Sequence, residues 1–315
     1  MKKLLPYLLF TGLIPVALAA VFYLRYISST NDIDPNMHYL TTPNTEQNDI
    51  LFIGNSHIFY QIDPRVIEAV TGLKAYNLGL EGVGMAYYSM VYHIYMQRHP
   101  LPKYLVINVD HRSFDVVHRV FNFPDYIPYL RDTAVSASLA PYYPEYRSRL
   151  YEIYYSLKRI NSRPDPSKVS NLYRIFTPAA GAAAPLTDSM RGFHPWAVRW
   201  KDRKHDIKEF HSTYSGPGID MLREMIQDAG HRGIKVILIA APMYKDYRQV
   251  ILDYDHVLDT ARTIAAGAHI PLWDYADIPM SRDSLNYYSI EHLNARGAHI
   301  YSELLGEDIK KYIGP

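Results

Sequence analysis

The chain has 315 residues, with 33 Lys+Arg against 32 Asp+Glu and no cysteine. The charge balance excludes the basic excess of a nucleic-acid binder, and the missing cysteines exclude disulfides, thiolate metal sites and a Cys nucleophile. Hydrophobic residues at 48% and charged residues at 21% exclude a disordered chain. The 29 tyrosines stand against 10 Phe and 3 Trp. Tyr has an apolar ring and a polar tip, so the excess suits wet clefts, interfaces or sugar-binding surfaces; ordinary core packing is the competing reading.

Met1-Lys2-Lys3 leads into an apolar run from Leu4 to Leu24 with no charge before Arg25. About 20 apolar residues span a bilayer as a helix, and Pro6 and Pro15 are tolerated there. Lysines before the run keep the N-terminus cytoplasmic and place the rest of the chain outside. A cleaved signal peptide is the rival, since Ala17-Leu18-Ala19 fits a small-x-small cleavage site. Residues 1–27 are therefore read as an anchor or signal peptide and 28–48, rich in Ser, Thr, Asn and Asp, as a linker.

The third segment, 49–315, alternates strands and helices. Asp49 to Gly54 reads as a buried strand entering a turn, and Asp63-Pro64 as the cap and first position of a helix. Lys74–Asn77 is a second strand, Met85, Tyr88, Tyr92 and Tyr95 fall at helical spacing, and Tyr104–Val109 is a third strand. Ile219, Leu222, Met225 and Ile226 mark a helix ending near Gly230, followed by the strand Ile234–Ala240. A helix over roughly 255–266, a strand Ile270–Trp273 and a helix from Ala295 to Tyr312, capped by Asn294, complete the pattern. The alternation predicts an α/β fold, a three-layer parallel sheet flanked by helices, with ligands at the carboxyl ends of the strands. About 111–217 breaks the pattern and reads as a mostly helical insertion.

Gly54-Asn55-Ser56-His57 follows the first strand directly. A serine there lies at the sheet's carboxyl edge, where Gly54 lets the backbone turn sharply. Its own N–H can point into the cleft as an oxyanion donor. Glu291-His292-Leu293-Asn294 precedes the last helix, so His292 can reach the same edge. A serine hydroxyl is a weak nucleophile without such a base. Asn77-Leu78-Gly79-Leu80-Glu81-Gly82, after the second strand, offers a glycine N–H as a second donor.

The order of Ile53-Gly54-Asn55-Ser56-His57, Ile62-Asp63-Pro64, Lys74–Gly79 and His292–Ala298 resembles the SGNH (GDSL-like) hydrolase superfamily. The likeness is strongest to its membrane-anchored members, akin to the D-alanyl transfer and polysaccharide O-acetylation proteins. It covers roughly 48–110 and 217–312. The resemblance implies a flavodoxin-like fold, Ser56 as nucleophile, His292 as base, and the N–H groups of Ser56 and Gly82 as oxyanion donors. It implies no cofactor. It points to a cell-surface polymer as substrate and a membrane-bound O-acyltransferase as partner.

Two departures stand out. The family's Asp three residues before the histidine is Ser289 here, leaving Glu291 or Asp283 to orient the ring. The family's oxyanion Asn after the third strand falls in register at Arg112, which can bind an anion or form a structural ion pair. Asn55 and His57 flank the serine as further substrate-side candidates, His57 in a supporting role. These departures keep open an inactive binding or scaffold protein of the same fold. Arg191–Trp196 with Arg199 and Trp200 can stack on sugars or touch lipid headgroups, or is a loop with a packed Trp. The remaining histidines show no metal-site spacing, no His-Glu-x-x-His motif appears and there is no Cys, so no metal is expected.

Overall fold

The computed structural model describes residues 17, 35–42, 46–115, 126, 129, 132–140, 189–197, 200, 208–212 and 214–314. The chain divides into two compact units, 1–38 with 122–187, and 39–121 with 188–315. In the first unit, helix Thr133–Leu139 starts at Asp132, whose carboxylate accepts from the N–H groups of Ala134 and Val135 at 3.0 and 3.2 Å. That is an N-cap satisfying two otherwise orphaned donors.

The second unit holds a parallel sheet of five strands: β1 (Ile50–Ile53), β2 (Ala75–Asn77), β3 (Tyr104–Asn108), β4 (Lys235–Ala240) and β5 (Leu272–Asp274), in the order β2-β1-β3-β4-β5. Its register sets Ile50 beside Ala75 on one side and beside Tyr104 on the other. The helices are α1 (Pro35–Thr41, which begins in the first unit), α2 (Ser56–Gln61), α3 (Pro64–Thr71), α4 (Met85–Arg98), α5 (the Thr133–Leu139 helix), α6 (Gly216–His231), α7 (Lys245–Val250), α8 (Tyr254–Ala268) and α9 (Ala295–Ile313). The expected parallel sheet flanked by helices is thus present. The sequence places each strand within about two residues of its observed ends.

Alternation along the strands assigns side chains to the two faces. Ile50, Phe52, Tyr104, Val106, Ile237 and Ile239 pack with Ile58 and Ile62 at α2, Ile67 of α3, and Tyr301, Leu305 and Ile309 of α9. The opposite face carries α4 against β1 and α6 against β4. With both faces covered, the strands read as continuous apolar runs, as buried parallel strands do.

Most of the tyrosines among the described residues are core. Tyr87, Tyr88, Tyr92, Tyr95, Tyr287 and Tyr301 are fully buried. Their polar tips are used where partners exist: the Tyr92 hydroxyl donates to Asp228 at 2.7 Å, and that of Tyr275 to Asp308 at 2.9 Å.

The segment expected as a linker contains an ordered element. Residues 35–41 form α1, with Leu40 fully buried. Tyr39 stacks on Tyr76 at 3.8 Å and on His99 at 4.8 Å. A short run of polar residues hid an aromatic contact worth ordering the backbone for. Among the described residues no helix is long and apolar enough to cross a membrane. The apolar run from Leu4 to Leu24 lies, apart from Ala17, outside the described residues, as does most of the expected insertion.

Candidate active site

The strand order reverses between β1 and β3, so the chain leaves β1 toward β2 and returns to β3. A crevice opens at the carboxyl ends of such a pair. Both loops at this crevice carry chemistry: Gly54–His57 after β1, and Val109–Ser113 after β3.

Gly54 is required where it stands, because a Cβ there would run into Ile58 and meet Asn108 Cβ at 3.0 Å. Asn55 then caps α2, its Oδ1 accepting from the His57 N–H at 3.0 Å. Ser56 is the first helical residue and 8% exposed, on the rim of the crevice.

His292 arrives from the other end of the chain. A bridge between Tyr287 and Leu293 shapes its loop, and Asn294 caps α9 by accepting from the Gly297 N–H at 3.0 Å. The Asn294 amide also donates back to the carbonyls of Leu285 and Tyr287, at 2.9 and 3.1 Å. The loop is therefore tied at both ends. His292 Nε2 stands 2.8 Å from Ser56 Oγ, a hydrogen bond in which the serine donates to the neutral ring. Burial, and then the positive charge of His57, pull the His292 pKa down to about 4. The ring is thus in its base form at neutral pH.

The far side of the His292 ring is the departure that the sequence shows. Ser289 Oγ lies 3.4 Å from Nδ1, a long contact, and accepts from the N–H groups of Glu291 and His292 at 3.2 and 3.1 Å. Serine orients the imidazole without supplying the charge that would stabilise an imidazolium. Asp283 does not reach it; its carboxylate caps the turn Ser284–Asn286 through the Leu285 N–H at 3.0 Å. The Glu291 carboxylate does lie close. One of its oxygens, one His292 nitrogen and one His57 nitrogen all fall within 4.8 Å of one another. Burial works against the Glu291 charge, but His292, His57, His111 and Arg112 outweigh it and hold this carboxyl below its ordinary range.

Beneath the serine lies a buried acid that the sequence reading did not single out. Asp110 Oδ2 accepts from Asn55 Nδ2, His57 Nδ1 and Asn108 Nδ2, each at 2.7 Å. Its Oδ1 accepts from the Arg112 N–H at 2.9 Å and from Ser113 Oγ at 3.3 Å. Burial opposes ionisation of Asp110, yet the hydrogen bond and charge of His57 prevail and keep the carboxyl far below its usual value. Burial likewise opposes protonation of His57, and Asp110 reverses that and raises it. The signal was available: the sheet-edge argument that selects Ser56 after β1 applies equally to the first acid after β3.

The remaining candidates are placed as follows. Both ends of the Asn55 side chain are engaged, Oδ1 by the His57 N–H and Nδ2 by Asp110, so it holds the turn on which Ser56 sits. His57 is 1% exposed and faces Asp110. Gly82 sits in an exposed turn with φ of 70°, beside Glu81, which accepts from the Tyr60 hydroxyl at 2.8 Å. Arg112 is exposed, its Nε donating to His111 Nε2 at 3.3 Å. Burial works against its charge and Glu291 sustains it. His111 also takes the Tyr247 hydroxyl at 3.2 Å, and burial pulls its pKa down to about 4.

An aromatic wall borders the base. Tyr60 stands edge-on to His292 with centroids 5.5 Å apart, and Trp196 lies flat on Tyr288 at 4.1 Å. Trp196 is thus the packed Trp of the aromatic and basic segment, while Arg191 pairs with Glu68 at 2.5 Å.

No protein-family model and no curated protein matches the chain. Solved structures with some likeness include a GDSL-like lipase from Bacteroides thetaiotaomicron, at 10% identity, covering 93% of this chain and 98% of that one with a TM-score of 0.40. A catalytic mutant of an acetylxylan esterase from Geobacillus stearothermophilus has 10% identity, covers 87% of this chain and 97% of its own, and has a TM-score of 0.39. Likenesses this weak leave the chemistry to be argued from the chain's own residues.

Proposed function

We propose that the chain is a serine-dependent acyl-transfer enzyme, an esterase or O-acyltransferase of SGNH type. The observation that carries this reading is the 2.8 Å contact between Ser56 Oγ and the neutral His292 Nε2 at the carboxyl edge of a parallel sheet. Ser56 attacks an ester carbonyl as His292 takes its proton. The oxyanion that forms is met by the N–H groups of Ser56 and Gly82, the donors that the family resemblance assigns. Collapse expels the alcohol, which takes the proton from His292 and leaves an acyl-serine. Water or a second hydroxyl then attacks the acyl-serine by the same steps in reverse. Glu291 supplies the nearby negative charge that Ser289 lacks while His292 is protonated.

The finer reading is an enzyme held at the outer face of a membrane by Leu4–Leu24, acting on a cell-surface polymer and served by a membrane-bound O-acyltransferase. The apolar run and the sequence resemblance support it. Anchoring would raise the effective concentration of enzyme and membrane-borne donor for one another.

One experiment tests both parts. The full chain is expressed, the cells are fractionated, and each fraction is treated with a fluorophosphonate probe. A labelled band in washed membranes, lost in Ser56→Ala and in His292→Ala, is the expected result. A folded wild-type chain that takes no label favours the scaffold reading, for which Ser289 in place of a carboxylate is the supporting observation. Label confined to the soluble fraction removes the anchor and leaves the chemistry.

A further inference from the structure

His57 has a nitrogen that the acyl-transfer chemistry does not use. Its ring is 1% exposed, and Nδ1 donates to Asp110 at 2.7 Å. Nε2 is buried with no side-chain hydrogen-bond partner, and the Glu291 backbone lies beside the ring. An imidazole whose one nitrogen is fixed by a carboxylate while the other can release its proton to solvent as an ion binds is the arrangement of a metal-ligating histidine. The carboxylate sets the tautomer and strengthens the donor. Asp110 is itself held by Asn55 and Asn108, so this outer support is rigid.

Two further donors converge on the same space. Glu291 and His292 each bring a ligand atom within 4.8 Å of the other and of His57. His111 is not among these converging donors; its Nε2 takes Tyr247 and Arg112 and lies 3.9 Å from the Glu291 carboxylate. Two imidazoles and a carboxylate suit a borderline dication of the zinc type. Donors of a tetrahedral zinc ion at ordinary bond lengths stand roughly 3.4 Å apart. The site must therefore contract, and Glu291 is the member free to move, with a side chain 23% exposed on a loop.

We propose that His57, Glu291 and His292 form a binding site for a zinc-type divalent metal ion that silences Ser56. The inhibitory part rests on the acyl-transfer reading; the binding part does not. To bind, the ion takes the lone pair of His292 Nε2, the one that accepts from Ser56. The serine then keeps its proton, and its oxygen stands next to the ion's fourth position. No bond to the substrate is made or broken by this step, and removal of the metal restores the base.

The test uses zinc chloride and the full chain in detergent, followed by calorimetry, with cobalt chloride as a spectroscopic probe. Wild type and Ser56→Ala are expected to bind one zinc per chain. His57→Gln and Glu291→Gln should each weaken binding at least tenfold and abolish the visible bands of tetrahedral cobalt. Zinc at the concentration that saturates wild type should slow fluorophosphonate labelling, with full recovery in EDTA. Glu291→Gln, at a partly exposed position, keeps the comparison valid if His57→Gln fails to fold. The proposal is overturned if wild type shows no stoichiometric binding. It is equally overturned if both variants bind as wild type does, which would place the ion on surface pairs such as His211–Asp253 or His299–Glu303. A wild type that binds zinc but takes no label overturns the serine reading and leaves the metal site standing.

Discussion

At the scale of single residues, the position of Ser56 is decided by its neighbours. Asn55 and His57 both tie their side chains to one oxygen of Asp110, so the serine between them is clamped from both directions. That carboxylate and His57 form a buried pair, each 1% exposed at the side chain. Removing one member of such a pair strands the other, at a cost of about 3–5 kcal/mol. Asp110→Asn removes the charge and turns one acceptor toward three donors into a donor itself. Stability in urea should fall by about 3 kcal/mol or more, and the molecules that remain folded should label more slowly with fluorophosphonate. A change below about 0.5 kcal/mol, the range of neutral surface substitutions, would mean that the network is not coupled to the fold. The residues that were legible here are those whose chemistry is local, a serine after a strand and a histidine before a helix. Asp110 escaped because its importance lies in what converges on it, and two of its partners are more than fifty residues away in sequence.

At the scale of elements, periodicity served where the helices are long. Helices α6, α8 and α9 carry apolar stripes over 15 to 19 residues and were readable. Helices α2 and α7 have six residues each, too few for a stripe to repeat, and were missed. α4 has ten buried residues in fourteen and almost no polar face, so its tyrosines gave the spacing but not the burial. Close approach of elements is also hidden from periodicity, and Gly297 shows its consequence. It lies in the first turn of α9, where a Cβ would strike the backbone carbonyl of Asn286. Backbone yields less readily than a side chain end. Gly297→Ala should therefore destabilise by about 1–3 kcal/mol, although alanine is intrinsically the better helix former by about 1 kcal/mol. Gly267 in α8 has open space around its Cβ position and provides the contrast. Gly267→Ala should be neutral or stabilising by up to about 1 kcal/mol. Thermal melts of the two variants beside wild type check both signs, and a stabilised Gly297→Ala would refute the close-packing argument.

At the scale of the whole molecule, the site joins the two ends of the described chain, Ser56 and His292 being separated by 236 positions. The sequence made this juxtaposition legible through the alternation of elements, since a parallel sheet brings successive carboxyl ends to one edge. It did not reveal the fastener. Gln61, fully buried at the end of α2, accepts from the Leu293 N–H at 2.9 Å and donates to the Pro242 carbonyl at 3.1 Å. One amide thus connects the serine's helix, the loop after β4 and the residue following His292. Ser302 of α9 reinforces the seam, its hydroxyl accepting from the Asp63 N–H at 2.8 Å. A buried amide lost from such a seam leaves donors and acceptors unpaired, at about 1–3 kcal/mol. Gln61→Met keeps the volume and removes both bonds. The body of α9 stays fixed by Tyr301, Leu305 and Ile309 in the core, so the loss falls first on the His292 loop. In wild type, urea titrations followed by far-UV circular dichroism and by fluorophosphonate labelling should coincide, as a cooperative domain requires. In Gln61→Met, labelling should disappear at a lower urea concentration than the dichroism signal. Two curves displaced together would make Gln61 a contributor to overall stability alone. Two curves pulled apart would show that the Ser56–His292 contact depends on this one amide rather than on the fold at large.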